Sequence, residues 1–325
     1  MSAIERPHVL LGSHPVERTT YLIGTKEVAK MYEEIKQWIE NRSPGGLAYG
    51  RPRLGKSRAI RYLSQALPYD FGENLPIYHM LCDLGNKTMN ENKYLEELLI
   101  GVGHAIPYSG KTIMKRERLI KFLKEKAETS GTHRIIFFID DAQSLVELQY
   151  EILMDIYNKL EADGISLTVI LVGQEELIYQ RTAFLSAKKA QIVGRFMVHE
   201  YKFSGIKKMD DIETCLDGYD VESEYPIGSG WSYTRYYFPD SFEDNFRLKN
   251  YAKDIYDIFN ELRTENGLHG EFEIPMQYFT LSVEYVLKKF GMDGRSVDYL
   301  TKVHWQEAIQ KSGYIENEIY MDVLS

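Results

Sequence analysis

The chain has 325 residues, 44% apolar and 27% charged, with a net charge of −9, a composition that excludes disordered and fibrous chains and leaves enough apolar sequence for a sizeable core. The acidic balance excludes indiscriminate nucleic-acid binding over the whole surface, yet it allows one local basic groove. With no run of eighteen apolar residues, no apolar centre in MSAIERPHVL, and two cysteines (Cys82 and Cys215) far apart, we expect no membrane span, disulfide framework or cysteine metal site, and a reducing cytoplasm as the natural home.

In chain order, Val28, Met31, Tyr32, Ile35, Trp38 and Ile39 form a helical stripe with Thr25 as its candidate cap, and the glycine- and proline-containing stretch 41–46 breaks it. Leu47–Tyr49 suits the end of a buried strand. It runs into Gly50-Arg51-Pro52-Arg53-Leu54-Gly55-Lys56-Ser57, a match to G-x-x-x-x-G-K-[ST], and then into a helix with Ala59, Ile60, Leu63, Ala66 and Leu67 on one face. Strand, glycine loop and helix start implies a cradle for a nucleoside triphosphate, here ATP. Gly50 and Gly55 permit the sharp turn, backbone N–H groups and the helix dipole face the phosphates, Lys56 reaches the β- and γ-phosphates, and Ser57 ligates Mg²⁺. The nucleotide-binding set expected from this segment is Gly50, Arg53, Leu54, Gly55, Lys56, Ser57 and Arg58.

A strand is predicted over Ile77–Asp83 and a helix over Asn92–Gly103. From Lys111 to Lys126 the chain is basic, with Leu119, Phe122 and Leu123 on its inward face, so this helix reads either as a solvated face or as a phosphate contact through Lys111, Lys115 or Arg116. Arg134–Asp141 is an apolar run ending in two carboxylates, the pattern of a central parallel strand whose carboxyl end borders a ligand crevice. Asp140 is the expected second Mg²⁺ ligand. Asp141 is expected to orient or deprotonate the attacking water, although its shorter side chain than Glu argues for slow hydrolysis, and a helix-capping role for it is compatible. A helix over Val146–Leu160, a strand over Leu167–Val172 ending in Gly173-Gln174, and a strand over Val198–Phe203 complete an alternating α/β pattern with a parallel five-stranded sheet. The eight histidines lack i, i+4 pairing and read as core or surface residues.

Residues 217–239 are rich in aromatics, with Trp231, Tyr233, Tyr236 and Tyr237, and form either a satellite core or a partner surface. Helices over Phe246–Leu262, Met276–Phe290 and Val297–Ile309, the last with Arg295 at its start, make a C-terminal helical lid. The expected division is an N-terminal extension (1–24), an α/β nucleotide-binding domain (25–210), an aromatic insertion (211–245), and the lid with its tail (246–325).

The sequence of GRPRLGKS, Ile139-Asp140-Asp141-Ala142-Gln143, Val169–Gln174 and Gly194-Arg195-Phe196 resembles AAA+ ATPases of the initiator type, and more closely the TnsC and TniB transposition regulators related to phage Mu B and found in CRISPR-associated transposons. The resemblance covers roughly residues 20–310. It implies that Gln174 is a polar sensor near the γ-phosphate, that Arg195 is an arginine finger inserted into a neighbouring subunit, and that Arg295 is a lid arginine on the same phosphates. It further implies a homo-oligomeric ring or filament on double-stranded DNA, with Lys111, Thr112, Lys115 and Arg116 in the region that meets the backbone, a TniQ-like target selector, and transposase subunits as partners. The alternatives are an ATP-dependent loader or initiator of replication or repair, against which no winged-helix pattern is evident after Ile309, and a P-loop switch that controls protein partners without DNA.

Overall fold

A computed structural model of the chain describes residues 5–82 and 90–324. The elements are α1 (Pro15–Arg18), α2 (Lys26–Glu40), β1 (Gly45–Tyr49), α3 (Lys56–Phe71), β2 (Ile77–Leu81), α4 (Glu91–Gly101), α5 (Thr112–Ser130), β3 (Arg134–Asp140), α6 (Glu147–Glu161), β4 (Ser166–Gly173), α7 (Glu176–Ser186), α8 (Ala190–Phe196) and β5 (His199–Lys202). There follow α9 (Met209–Asp217), α10 (Tyr233–Tyr237), α11 (Pro239–Glu243), α12 (Ala252–Glu265), α13 (Met276–Phe290), α14 (Lys302–Lys311) and α15 (Tyr314–Leu324). Two compact units result, one of residues 30–52 and 56–203, the other of residues 1–29, 53–55 and 204–325.

The first unit is built on a five-stranded sheet in the order β2-β3-β4-β1-β5, with every pairing parallel. Parallel strands joined by helical crossovers are covered on both faces, so β3 and β4 are apolar and buried along almost their whole length. Phe137 and Phe138, pointing to opposite faces, are both fully buried. The predicted end of the second strand, Asp83, lies outside the described residues.

Two sequence expectations are corrected at β1 and α3. Gly45 and Gly46 are not part of a breaker but the first residues of β1, where they pair with Val169 and Ile170 of β4. They are glycine because there is no room for more: a Cβ on Gly46 would sit 2.5 Å from the Trp38 ring, and one on Gly45 would collide with the Val169 carbonyl oxygen. Gly45→Ala therefore lowers unfolding stability by about 1–3 kcal/mol, read from the shift in the urea midpoint, because the carbonyl it strikes is part of the sheet. An unshifted midpoint would show that β1 and β4 are less closely apposed. The helix after the glycine loop also runs on past Leu67 through Pro68 to Phe71, since a proline in the last turn removes only one ladder hydrogen bond.

The second unit is helical. Its core holds Trp305, Tyr219, Tyr314, Phe259, Phe279 and Phe290, all but fully buried, and residues from the N-terminal segment, Val16 and Tyr21, belong to the same cluster. The aromatic stretch reads as core here: Trp231, Tyr233, Tyr236 and Tyr237 are buried. The rings of the three tyrosines, with Tyr225, enclose His14, with centroid separations of 5.2 Å to Tyr233, 4.5 Å to Tyr236, and 5.1 Å to both Tyr237 and Tyr225. The last predicted helix starts five residues late, at Lys302, and one further helix, α15, follows it. Arg295 is consequently in the turn after α13 rather than at a helix start, with its N–H donating to Lys289 O at 2.9 Å. The unit is fastened at its C-terminal end by a buried ion pair between Arg263 of α12 and Glu318 of α15 at 3.0 Å.

Candidate nucleotide site

The adjacent strands β3, β4 and β1 end side by side, and their carboxyl ends carry Asp140, Gln174 and Gly50. Gly50 N–H donates to Gly173 O at 3.2 Å, which fixes where the chain leaves β1. The loop then turns through Arg53 at φ 67° and Gly55 at φ 103°, the second a conformation that favours glycine, and enters α3 at Lys56. Leu54 is buried at the base of the turn, and Arg58 lies exposed in the first turn of α3.

Lys56 is 9% exposed, and its Nζ donates to the Gly50 and Arg51 carbonyls at 2.7 Å each, an ammonium held at the mouth of the loop by groups that bind it weakly compared with an anion. Ser57, next on the helix, hydrogen-bonds the Asp140 carboxylate across from β3. Asp140 is 5% exposed. Burial alone would push its carboxyl up, but hydrogen bonds from His79, Ser57 and the Asp141 N–H outweigh it and hold the carboxyl below the ordinary carboxylate value, ionised at neutral pH. A hydroxyl beside a buried carboxylate, next to a loop of N–H groups and an ammonium, is a donor set that fits a Mg²⁺ ion and phosphate oxygens.

Asp141 adopts a left-handed conformation, φ 52°, and opens a short 3-10 turn at Ala142–Ser144 without capping it through its side chain. Its Oδ1 instead accepts from Gln143 Nε2 at 3.2 Å, and Gln143 Oε1 accepts from Gln174 N–H at 3.2 Å. The second carboxylate and the end of β4 are therefore linked through one glutamine. Gln143 and His79 are the two residues of this site to which sequence reasoning assigned no role. His79 is on β2, its Nε2 3.6 Å from Asp140 Oδ2. The available signal was its place in the strand that neighbours the acidic one, which only the pairing of Met80 with Ile139 makes visible.

The other expected residues have partners of their own. Arg195 is in the last turn of α8, where its guanidinium donates to Asn158 Oδ1 at 2.8 Å and lies over the Tyr157 ring. Arg181 pairs with Glu200 at 2.6 Å. Arg295 is half exposed, over the Phe290 ring and 3.9 Å from Glu307.

Of the basic stretch, Lys111 precedes α5 and is exposed, and Thr112 begins the helix, its hydroxyl 3.4 Å from Asn92 Oδ1. The expectation for Lys115 is corrected. Lys115 is 3% exposed and its ammonium is taken up by Glu96 and by Asn92 at 2.9 Å, while Arg116 bridges Glu91 and Asp155. A buried, hydrogen-bonded lysine has no face to offer a phosphate, so Lys115 ties α5 to α4 instead, while the part-exposed Arg116 links α5 to α4 and α6. Among the described residues no helix is long and apolar enough to cross a membrane.

Residues 40–180 match the family model of an AAA domain. No curated protein matches the sequence. Among solved structures, the chain is similar to the ORC2 protein of Aeropyrum pernix in its ADPNP–ADP complexes, with a TM-score of 0.62 at 14% identity over 92% of this chain and 71% of that one. It is also similar to the ADP form of that protein, with a TM-score of 0.54 at 14% identity over 90% of this chain and 71% of that one. A Walker-type ATPase of Pyrococcus abyssi is similar at a TM-score of 0.53 and 16% identity, over 94% of this chain and 75% of that one. The fold is that of an AAA+ P-loop domain with a helical C-terminal region.

Proposed function

We propose that the chain is a Mg²⁺-dependent ATPase that works as an oligomer on duplex DNA. The observation that carries the nucleotide reading is the convergence of Lys56, Ser57 and an ionised Asp140 on one loop mouth. In this reading Lys56 gives up its two carbonyl partners for phosphate oxygens, the Gly50–Gly55 backbone and the start of α3 cradle the phosphates, and Leu54, Arg58 and Arg295 contribute to the pocket. Ser57 and Asp140 hold Mg²⁺, which when bound neutralises charge on the transferred phosphoryl group. Asp141, oriented by Gln143, positions the attacking water, Gln174 senses the γ-phosphate, and Arg195 completes the site of a neighbouring subunit.

A finger supplied in trans predicts a specific defect. Arg195→Ala leaves nucleotide affinity of the monomer unchanged and lowers DNA-stimulated turnover by about a hundredfold or more. Undiminished turnover would move the finger elsewhere, with Arg181 next in line.

On DNA, Lys111 and Thr112 are the contacts retained for the proposal, repeated round the oligomer so that weak backbone contacts add up. The job we infer is that of a transposition regulator of the TnsC and TniB kind, which marks target DNA and links a TniQ-like selector to the transposase. A replication initiator or loader is an equal second reading, supported by the likeness to an ORC2 protein. Electron microscopy with a slowly hydrolysed ATP analogue, with and without a random-sequence duplex, tests the shared part. Rings or filaments that need both ligands support a DNA-borne ATPase. Particles that ignore DNA point to a nucleotide switch acting on proteins. Addition of purified TniQ-like and transposase proteins to such assemblies then separates the two readings.

A further inference from the structure

Arg53 occupies a free position of the phosphate loop, and its side chain does not turn toward the loop mouth. By its contacts it groups with the helical unit. Its guanidinium donates to the Tyr278 hydroxyl on α13 and, at 3.1 Å, to Asn317 Oδ1 on α15. Its carbonyl accepts the Gln277 N–H at 3.2 Å, one of the first-turn donors of α13 that has no partner within the helix. Arg53 also holds a left-handed φ of 67°, which disfavours any residue with a Cβ and persists only where the surroundings hold it.

The acceptors are themselves anchored. Tyr278 is 2% exposed, its ring 6.0 Å from that of Tyr314. Asn317 donates to Glu318 at 3.3 Å, and Glu318 is the buried partner of Arg263. The start of α15 is thus tied through Asn317 to a loop residue, and through Glu318 to the core of the helical unit.

We propose that Arg53 is a positioning residue that couples the phosphate loop to the C-terminal helix α15, so that the seating of α15 sets nucleotide affinity and nucleotide in turn steadies α15. The inference rests on the nucleotide reading of the loop. A carbonyl fixed by Gln277 and a guanidinium fixed by Tyr278 and Asn317 pin the turn on both sides, and releasing either lets the left-handed residue relax and the N–H groups beside it lose their common aim. Because coupling between two sites is reciprocal, ligand at the loop must stabilise what holds the loop.

The test is titration of a slowly hydrolysed ATP analogue against the full chain, five variants and a Lys56→Ala control, with thermal melts as the check on folding. Arg53→Ala, Asn317→Ala and Tyr278→Phe are each expected to bind about tenfold more weakly, with the Arg53→Ala/Asn317→Ala double variant no worse than the weaker single. Arg53→Gly, which accommodates the positive φ without strain, is expected to be as weak as Arg53→Ala. In hydrogen exchange the analogue should slow the amides of α15 in the wild type and in none of these variants. Wild-type affinity in Asn317→Ala and Tyr278→Phe, full binding by Arg53→Gly, or additive losses in the double variant would each overturn the coupling. If the wild type binds the analogue and Lys56→Ala does not, such a result overturns this proposal alone. If the wild type binds none, the nucleotide reading itself falls.

Discussion

Lys56→Ala is expected to weaken ATP binding by about a hundredfold or more, the equivalent of ~3 kcal/mol, and with it to abolish ATP-dependent binding to DNA. The ammonium donates to the Gly50 and Arg51 carbonyls, two neutral acceptors at 2.7 Å. A triphosphate would replace them with charged oxygens, so this one cation meeting anions in a partly desolvated loop supplies a large single share of the binding energy beside the loop N–H groups and Mg²⁺. Removing the side chain takes the partner from the buried Gly50 carbonyl, so the melting temperature should fall modestly while affinity collapses. The measurement is equilibrium titration by fluorescence or calorimetry, run beside a thermal melt. Tight binding by a folded Lys56→Ala protein would remove Lys56 from the phosphate site, and the assignment of Ser57 and Asp140 would lose its neighbour.

The second large effect is on stability and depends on pH. His14 is 1% exposed inside its ring of tyrosines, and burial, aided by the nearby Arg6 charge, lowers its pKa from 6.5 to about 4. The hydrogen bonds say why protonation is resisted. Nδ1 accepts the Val16 N–H at 3.2 Å, so a proton placed there breaks the cap of α1, and Nε2 is already buried with no acceptor. A group whose folded pKa lies below its unfolded one stabilises the protein fully above pH 6.5. That contribution, up to about 3 kcal/mol, is lost as pH falls from 6.5 through 4. The informative quantity is the difference between a His14 variant and the wild type across that window. His14→Asn keeps a cap acceptor but has no proton to gain, and its urea-derived stability should fall less steeply over that window than that of the wild type. Parallel curves would mean that His14 is not the acid-sensitive group.

How much of this was legible in the sequence follows from range. The glycine loop, the acidic end of β3 and the five strands were legible because each depends on residues adjacent in the chain: an octapeptide with fixed backbone demands, an apolar run apolar on both faces, and the alternation of periods. The tyrosines at 233, 236 and 237 stood out as a cluster, but their spacing did not say whether the cluster faced inward. Gly45 and Gly46 carried the opposite message, since glycines after a helix read as a break until the ring of Trp38 and the carbonyl of Val169 are known to lie against them.

By itself, then, the chain determined the segments on which the nucleotide reading rests: a glycine loop, its lysine and serine, and two carboxylates at a strand end are written in contiguous stretches whose physics is local. Only the tertiary structure decided which side chains are free to use that chemistry. Lys115 and Arg116 look like available cations until α4 and α6 bring Glu96, Glu91 and Asp155 against them. His79 looks like a strand residue among others until β2 pairs with β3 and sets it beside Asp140. Arg53 looks like a phosphate ligand until α13 and α15, more than two hundred residues later, supply its acceptors. The reason is the same in each case: a charge is committed by whichever partner reaches it at hydrogen-bond distance, and that distance is set by packing between segments that are remote in sequence.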